Sequence, residues 1–402
     1  MIGMLVAIGP AVLDMTSGLT HDFGSAFSQR LGNQGSNFYR WKRLLLENAE
    51  EVAVGCEFKD CIPPIYEPEF VSAAQADDWL APSDLVIGLD RQGATKAYPI
   101  KMLNYHEVVN DRAGEEPILI TYCPLCGSAV GFQRTLDGRT LTFGVSGLLH
   151  HSNLVMYDHE TESFWDQITG EAIGGPHVAD RLQRIPIDVV RWSSWRQAHP
   201  DTQVLSKESG NRASYDRYPY GDYRRTDAVY FGTDVRDDRL EPKTRIIGVS
   251  LRGAHLAVPH RAFDARPLMQ TTLGETPVAI VRDPASGRIH AFRRQVEGET
   301  LSFRRQDHQL IDLETRSEWS FSGEAASGSF KGTRLPTLAT TPAFWFAWAA
   351  YHPDTDVLGA AAVAAPAAHP WKTSVWWGYA VLGALAVFAL SVRRRRHAHL
   401  NL

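Results

Sequence analysis

The sequence predicts a mainly β protein: a β-rich α+β fold of tandem pseudo-twofold duplicated units, followed by one C-terminal transmembrane helix. Three observations carry this expectation. The chain aligns with itself at a spacing of 160 residues, its body is made of short apolar runs bounded by Gly and Pro, and a twenty-residue stretch near its end has no charge. Hydrophobic residues make up 44% of the 402 positions and charged residues 22%, the balance of a chain that folds around a core. A net charge of −5 with no basic stripe on the body argues against nucleic acid as a partner. Four cysteines are too few for a disulfide scaffold.

From the N-terminus, residues 1–83 read as a lead segment. Met1–Leu13 is apolar without the basic residues of a secretory leader, so it reads as a poor signal, a second anchor or a misassigned start, followed by an extended arm. Cys56 and Cys61 within that arm could close a small disulfide loop in an oxidising compartment. The first unit, 84–206, opens with two strands, Leu85–Leu89 and Thr95–Ile100, around Gly93. Apolar spacing over Met102–Val109 fits a short helix, and Pro117–Tyr122 is an apolar run of strand length. Asp137-Gly138 between Ala129–Thr135 and Arg139–Val145 signals a hairpin. Ser193–His199 reads as a closing helix broken by Pro200.

After a connector over 207–243, a second unit over 244–358 repeats the first. Ile87-Gly88 falls on Ile247-Gly248, Pro124 on Pro284, Gly127 on Gly287 and Phe143 on Phe303. After a short deletion, Asp158 and Trp165 find Asp312 and Trp319, and His199-Pro200-Asp201-Thr202 finds His352-Pro353-Asp354-Thr355. One register held this long is a tandem duplication. Residues kept in both copies are explained by the fold, so Asp158, Glu160, Trp165, His199 and Asp201 read as turn, cap and core residues. A group present in one copy alone is the better candidate for chemistry.

Residues 359–372 form an Ala-rich linker, 373–392 the apolar span and 393–402 a tail that opens with four arginines. Twenty residues at about 1.5 Å each match a hydrocarbon core of roughly 30 Å. The aromatic residues Trp376, Trp377 and Tyr379 at one end and Arg393–Arg396 at the other place the tail in the cytoplasm and the body across the membrane. The expected partner is therefore the lipid bilayer, through this helix.

The chemistry is expected in the first unit. Cys123-Pro124-Leu125-Cys126-Gly127 becomes Asp283, Pro284, Ala285, Ser286 and Gly287 in the second copy, and His106 becomes Arg266. The turn survives while the sulfurs are lost. The pair lies between two strands rather than at a helix start, which resembles the metal knuckle of rubredoxins and zinc ribbons more than a thioredoxin-type pair. A Cys₂His set of Cys123, Cys126 and His106, with His150 or His151 supplying a fourth ligand, would hold a divalent ion, with zinc expected first and copper or iron as alternatives. A redox or structural disulfide and inert buried thiols remain the competing readings.

The run AYPIKMLNYHEVVND…PILITYCPLCGSAVGF…FGVSGLLHHSNLVMYDHETESFWDQ…HPDTQVLS resembles the bacterial and archaeal family called domain of unknown function 3179. The resemblance implies no reaction. It does imply counterparts of His106, Glu107, Asn110, Asp111, Cys123, Cys126 and the GVSGLL segment; the family usually has Tyr-Asn where this chain has His150-His151. On an enzyme reading, Glu107 or Asp111 would be the proton acceptor beside the metal. The alternatives are a thiol oxidoreductase using Cys123 and Cys126, and a non-enzymatic metal-handling or interaction module. No GxSxG elbow, P-loop or dinucleotide fingerprint is present.

Overall fold

A computed structural model describes residues 52–210, 214–233 and 235–359. Met1–Leu13 and the apolar span Thr373–Val392 lie outside the described residues. Among those described, no helix is long and apolar enough to cross a membrane.

The fold is mainly β, and its strands fall into small, mostly antiparallel sheets, with parallel pairing of Gln203–Leu205 on Ala94–Pro99 and of Asp356–Val357 on Ala254–Pro259. In the first half, Leu85–Arg91 pairs with Ala94–Pro99 around Gln92-Gly93, where both residues have positive φ, 52° and 74°. That is the two-residue turn whose twist suits a tight hairpin, and glycine adopts it without strain. Asp188–Arg191 flanks this pair on one side; Gln203–Leu205 and then Phe70–Ser72 flank it on the other. A second sheet runs Val108–Ala113, Glu116–Cys123, Ser128–Gln133 and Arg184–Ile185. A third contains Val52–Val54, Phe143–His150, Asn153–Asp158, Phe164–Asp166 and Ala172–Gly174.

The second half carries the same pairings in the same order. Arg245–Leu251 pairs with Ala254–Pro259 and is flanked by Thr340–Phe344 and Asp356–Val357. Leu268–Leu273, Thr276–Arg282, Ile289–Arg293 and Thr337–Leu338 form its second sheet, and Phe303–Gln306, Gln309–Asp312, Glu318–Trp319 and Ala325–Ser327 its third.

Side chains shared by the halves make the same bonds. Trp165 Nε1 donates to Asp158 Oδ2 and Trp319 Nε1 to Asp312 Oδ2, each at 2.9 Å. Trp195 Nε1 donates to Thr202 and Trp348 Nε1 to Thr355, again at 2.9 Å. Asn110 and Gln270 each brace the next sheet through the backbone of Phe143 and Phe303. Asn110 is thus structural although it stands in a family motif. The halves also meet reciprocally. The N–H of Phe344 donates to the carbonyl of Cys126 at 2.7 Å, and Arg288, beside the second turn, pairs with Asp188 of the first half.

Three elements differ from the sequence expectation. Residues 52–83 are packed against the first half rather than standing off as an arm: Ile65 is buried, and the strands Val52–Val54 and Phe70–Ser72 complete sheet edges that would otherwise expose unpaired backbone. The helix runs Ile100–His106 rather than Met102–Val109, because Glu107 turns to φ 57° and Val108 enters the next ladder. Asp137-Gly138 closes only the short pair Thr135–Leu136 and Arg139–Thr140, while Phe143 starts a strand of another sheet. Cys56 and Cys61 are joined by a disulfide.

Candidate functional site

Glu116–Cys123 ends in the Cys123–Gly127 turn, and Ser128 resumes the ladder opposite Cys123. Both cysteines are free and buried. Burial alone would push both thiols up. Hydrogen bonds reaching Cys123 from the Cys126 thiol and from the N–H groups of Cys126, Leu154 and Leu125 outweigh that and hold it below the usual thiol range. Burial, the bond to Cys123 and the negative charge of Cys123 drive Cys126 well above that range. Of the two, Cys123 is therefore the more readily ionised.

The second copy shows the same division in oxygen chemistry. At Cys123's place, the carboxylate of Asp283 accepts from the N–H of Ala285 at 2.9 Å and from the hydroxyl of Ser286, which stands at Cys126's place. Both turns put the more acidic group first and a donor fourth. Glycine closes each at positive φ, 57° at Gly127 and 72° at Gly287.

A hairpin arm found only in the first half reaches the turn. Its strands Phe143–His150 and Asn153–Asp158 are eight and six residues long, against four each in Phe303–Gln306 and Gln309–Asp312. The deletion seen in the sequence is the end of this arm. At its tip, His151 and Ser152 both have positive φ, 49° and 67°, and the Ser152 carbonyl lies 3.3 Å from Cys126 Sγ. Beneath the tip sits a fully buried polar network. Gln167 Oε1 accepts from Ser128 Oγ at 2.7 Å and Asn153 Nδ2 at 2.9 Å, while its Nε2 donates to Thr121 Oγ1 at 2.9 Å. Asn153 also bonds the Cys126 thiol. In the second copy Gln167 becomes Phe321 and Thr121 becomes Val281.

Glu107 stands beside the thiols. Its carboxyl is pushed well above the carboxylate range, first by burial and then by the charge on Cys123, with a bond from Tyr220 partly opposing both. Tyr220 OH donates to Glu107 Oε1 at 2.9 Å. A non-glycine residue at φ 57° costs about 1–3 kcal/mol, so the surroundings hold Glu107 in place against strain. Tyr218 and Tyr223 of the connector, and Tyr351 of the helix Trp345–Tyr351, close the site; burial raises all three phenols, and the nearby cysteines add to it. Tyr351 OH also donates to the carbonyl of His150 at 2.9 Å.

The other expected ligands are placed elsewhere. His106 is buried with Nδ1 2.7 Å from the Pro63 carbonyl and Nε2 2.8 Å from Tyr215 OH, so both ring nitrogens hold chain segments in place. His150 Nδ1 is 3.0 Å from Asp166, and His151 stacks on His150 at 4.2 Å. Asp111 is bound by Lys96 Nζ at 2.8 Å and Tyr98 OH at 2.6 Å, in a buried ion pair. The Cys₂His set is not assembled: among the described residues, no three His, Cys, Asp or Glu side chains are gathered where one ion could be held.

Sequence reasoning did not single out Gln167, Asn153, Tyr220 or Tyr351. Two signals could have found Gln167 and Tyr220: the loss of Gln167 and Thr121 from the second copy, and the five tyrosines from Tyr215 to Tyr230 in the connector.

This is a mainly β protein with a buried Cys-x-x-Cys turn. A family model matches residues 59–355, and the chain belongs to that family, described as a protein of unknown function (DUF3179). No curated protein and no solved structure matches it significantly.

Proposed function

We propose that the body is a tandem pseudo-twofold duplication whose first half is a thiol–disulfide oxidoreductase using Cys123 and Cys126. The observation that carries this is the pair of equivalent turns. A carboxylate and a hydroxyl replace the two sulfurs without changing the pattern, so the turn is built for an anion at the first position and a proton donor at the fourth. A thiolate with a resolving thiol is the reactive form of a dithiol.

In this cycle Cys123 reacts as the thiolate, the form its hydrogen bonds favour, and Glu107 as the carboxylic acid, the form its burial favours. The thiolate attacks one sulfur of a partner disulfide, and the departing partner thiolate takes the proton of Glu107. The Glu107 carboxylate then accepts the proton of Cys126 as the Cys126 sulfur attacks that of Cys123. The second partner thiolate leaves and takes this proton in turn. Two electrons and two protons pass to the partner disulfide, and a Cys123–Cys126 disulfide remains. The apolar span at Thr373–Val392 would tether this chemistry outside the cytoplasm, where dithiols and disulfides exchange.

The test is mass spectrometry with alkylation. Equilibration against dithiothreitol redox buffers should give one two-electron transition, with a Cys123–Cys126 disulfide in the oxidised form and metal-free thiols in the reduced form. Glu107→Gln should slow exchange with an added disulfide at least tenfold at neutral pH. If stoichiometric zinc, copper or iron were retained through purification and lost from Cys123→Ser, with no two-electron transition, the metal-handling reading would replace this one.

A further inference from the structure

Between the two halves lies a cleft of about 590 Å³ that touches the cysteine turn at Tyr122 and Gly127 and the degenerate turn from Asp283 to Gly287. This volume is in the range of pockets for small molecules. Five arginines line it: Arg191, Arg224, Arg245, Arg282 and Arg305. Three aspartates also line it, but two are already neutralised, Asp188 by Arg288 and Asp264 by Arg282. Arg224 bonds neutral groups, the side chain of Asn104 and the phenols of Tyr122 and Tyr218, and stacks at 3.8 Å on Tyr218. Arg191, Arg245 and Arg305 make no side-chain hydrogen bond or ion pair among the described residues. Four guanidinium groups thus face Asp283 alone, in a chain whose net charge is −5.

We propose that this cleft binds a small organic anion carrying at least two carboxylate or phosphate groups. Guanidinium forks match these groups, and low-dielectric walls focus the field of clustered like charges. Two pairs of cross-strand neighbours shape the site. Arg245 lies opposite Phe344, and Arg191 lies opposite Leu85, all four on the lining. Each half therefore presents one cation beside one apolar side chain, which suits acidic groups joined by a carbon framework. His260, on the lining, is held to a pKa of about 4 by burial and then by Arg245 and Arg282, so it adds no charge of its own at neutral pH and reports the positive potential. The use of the cleft as the substrate entrance to the cysteines rests on the thiol reading above; anion binding does not.

The experiment is calorimetric titration of the full chain with citrate and with inorganic pyrophosphate at low ionic strength. At least one probe should bind with Kd below about 1 mM, the affinity weakening steeply with salt. Arg245→Ala and Arg305→Ala, both at exposed positions, should each weaken it about tenfold, whereas Arg139→Ala, exposed but off the cleft, should not. The double variant Cys123→Ser/Cys126→Ser should bind undiminished, so that loss of redox activity and loss of binding are read separately. Absence of binding by both probes, or equal weakening by Arg139→Ala, would overturn the proposal.

Discussion

Replacing Gln167 with Leu tests whether the buried polar network positions the hairpin tip on Cys126. The side chain makes four hydrogen bonds, two accepted at Oε1 from Ser128 and Asn153 and two donated by Nε2, to Thr121 Oγ1 and the Ser128 carbonyl. Thr121 keeps its bond to Val130, and Asn153 keeps a contact with Ser128 Oγ at 3.2 Å. The Ser128 hydroxyl and one N–H of Asn153 are orphaned in a site without solvent. Each such group costs about 1–3 kcal/mol, and burial of the leucine offsets part of the sum, leaving about 2–4 kcal/mol of destabilisation. Urea unfolding with the Cys56–Cys61 disulfide intact measures this. Asn153 released from Gln167 no longer aims its amide at Cys126, so that thiol should titrate higher still, read as an alkylation rate followed against pH by mass spectrometry. A loss below about 0.5 kcal/mol with an unchanged alkylation profile would refute the idea that the network serves the cysteines.

Gly88→Ala and Gly248→Ala should be comparably harmful, since a Cβ would lie 2.3 Å from the Trp195 ring in one half and 2.2 Å from the Trp348 ring in the other. Each should lose about 1–3 kcal/mol or more in denaturant unfolding, and a cost in only one half would contradict the equivalence of the two packings. Lys96→Met should cost about 3–5 kcal/mol, because it strands Asp111 in a buried site. It should leave the alkylation rate of Cys123 unchanged, and a large change in that rate would return Asp111 to the chemistry. Acid stability follows from two histidines. Burial holds His260 to about 4 and, with the neighbouring His255, Arg184 and Arg181, His352 to about 3. Below the ordinary histidine pKa of about 6.5 the unfolded chain binds more protons than the folded one. Stability should therefore be complete above about pH 6.5 and fall as pH drops toward 4, and His352→Phe should flatten that fall. A profile level from pH 7 to 4 would show that neither ring is held neutral.

Much of the fold was legible because the halves spell the same local rules twice. Alternating apolar runs, Gly at forced turns and Trp with its Asp partner sit at matching positions, and reading the kept residues as structural is consistent with the bonds of Asp158, Trp165 and Trp195. The site was legible only in part. His106 is lost from the second copy, as a ligand would be, but its Nε2 meets Tyr215 of the connector, a segment with no counterpart after the second half. Absence from one copy marks anything the first half does alone, including holding its own connector. Tyr351 escaped notice because it approaches the cysteines from over two hundred residues away, a separation no local pattern encodes.

The N–H of Phe344 on the Cys126 carbonyl bears on how the protein is made. A chain emerging from the ribosome N-terminus first would form the first half, thiols included, long before residues 344–351 arrive to cover them. During that interval the dithiol would stand open to whatever oxidant or reductant surrounds the nascent chain. Docking of the last strand and helix then narrows access to the dithiol to those partners that the finished fold admits. Arrest of translation before Phe344 should therefore yield a polypeptide whose Cys123 and Cys126 react with a bulky maleimide, while the finished protein shields them.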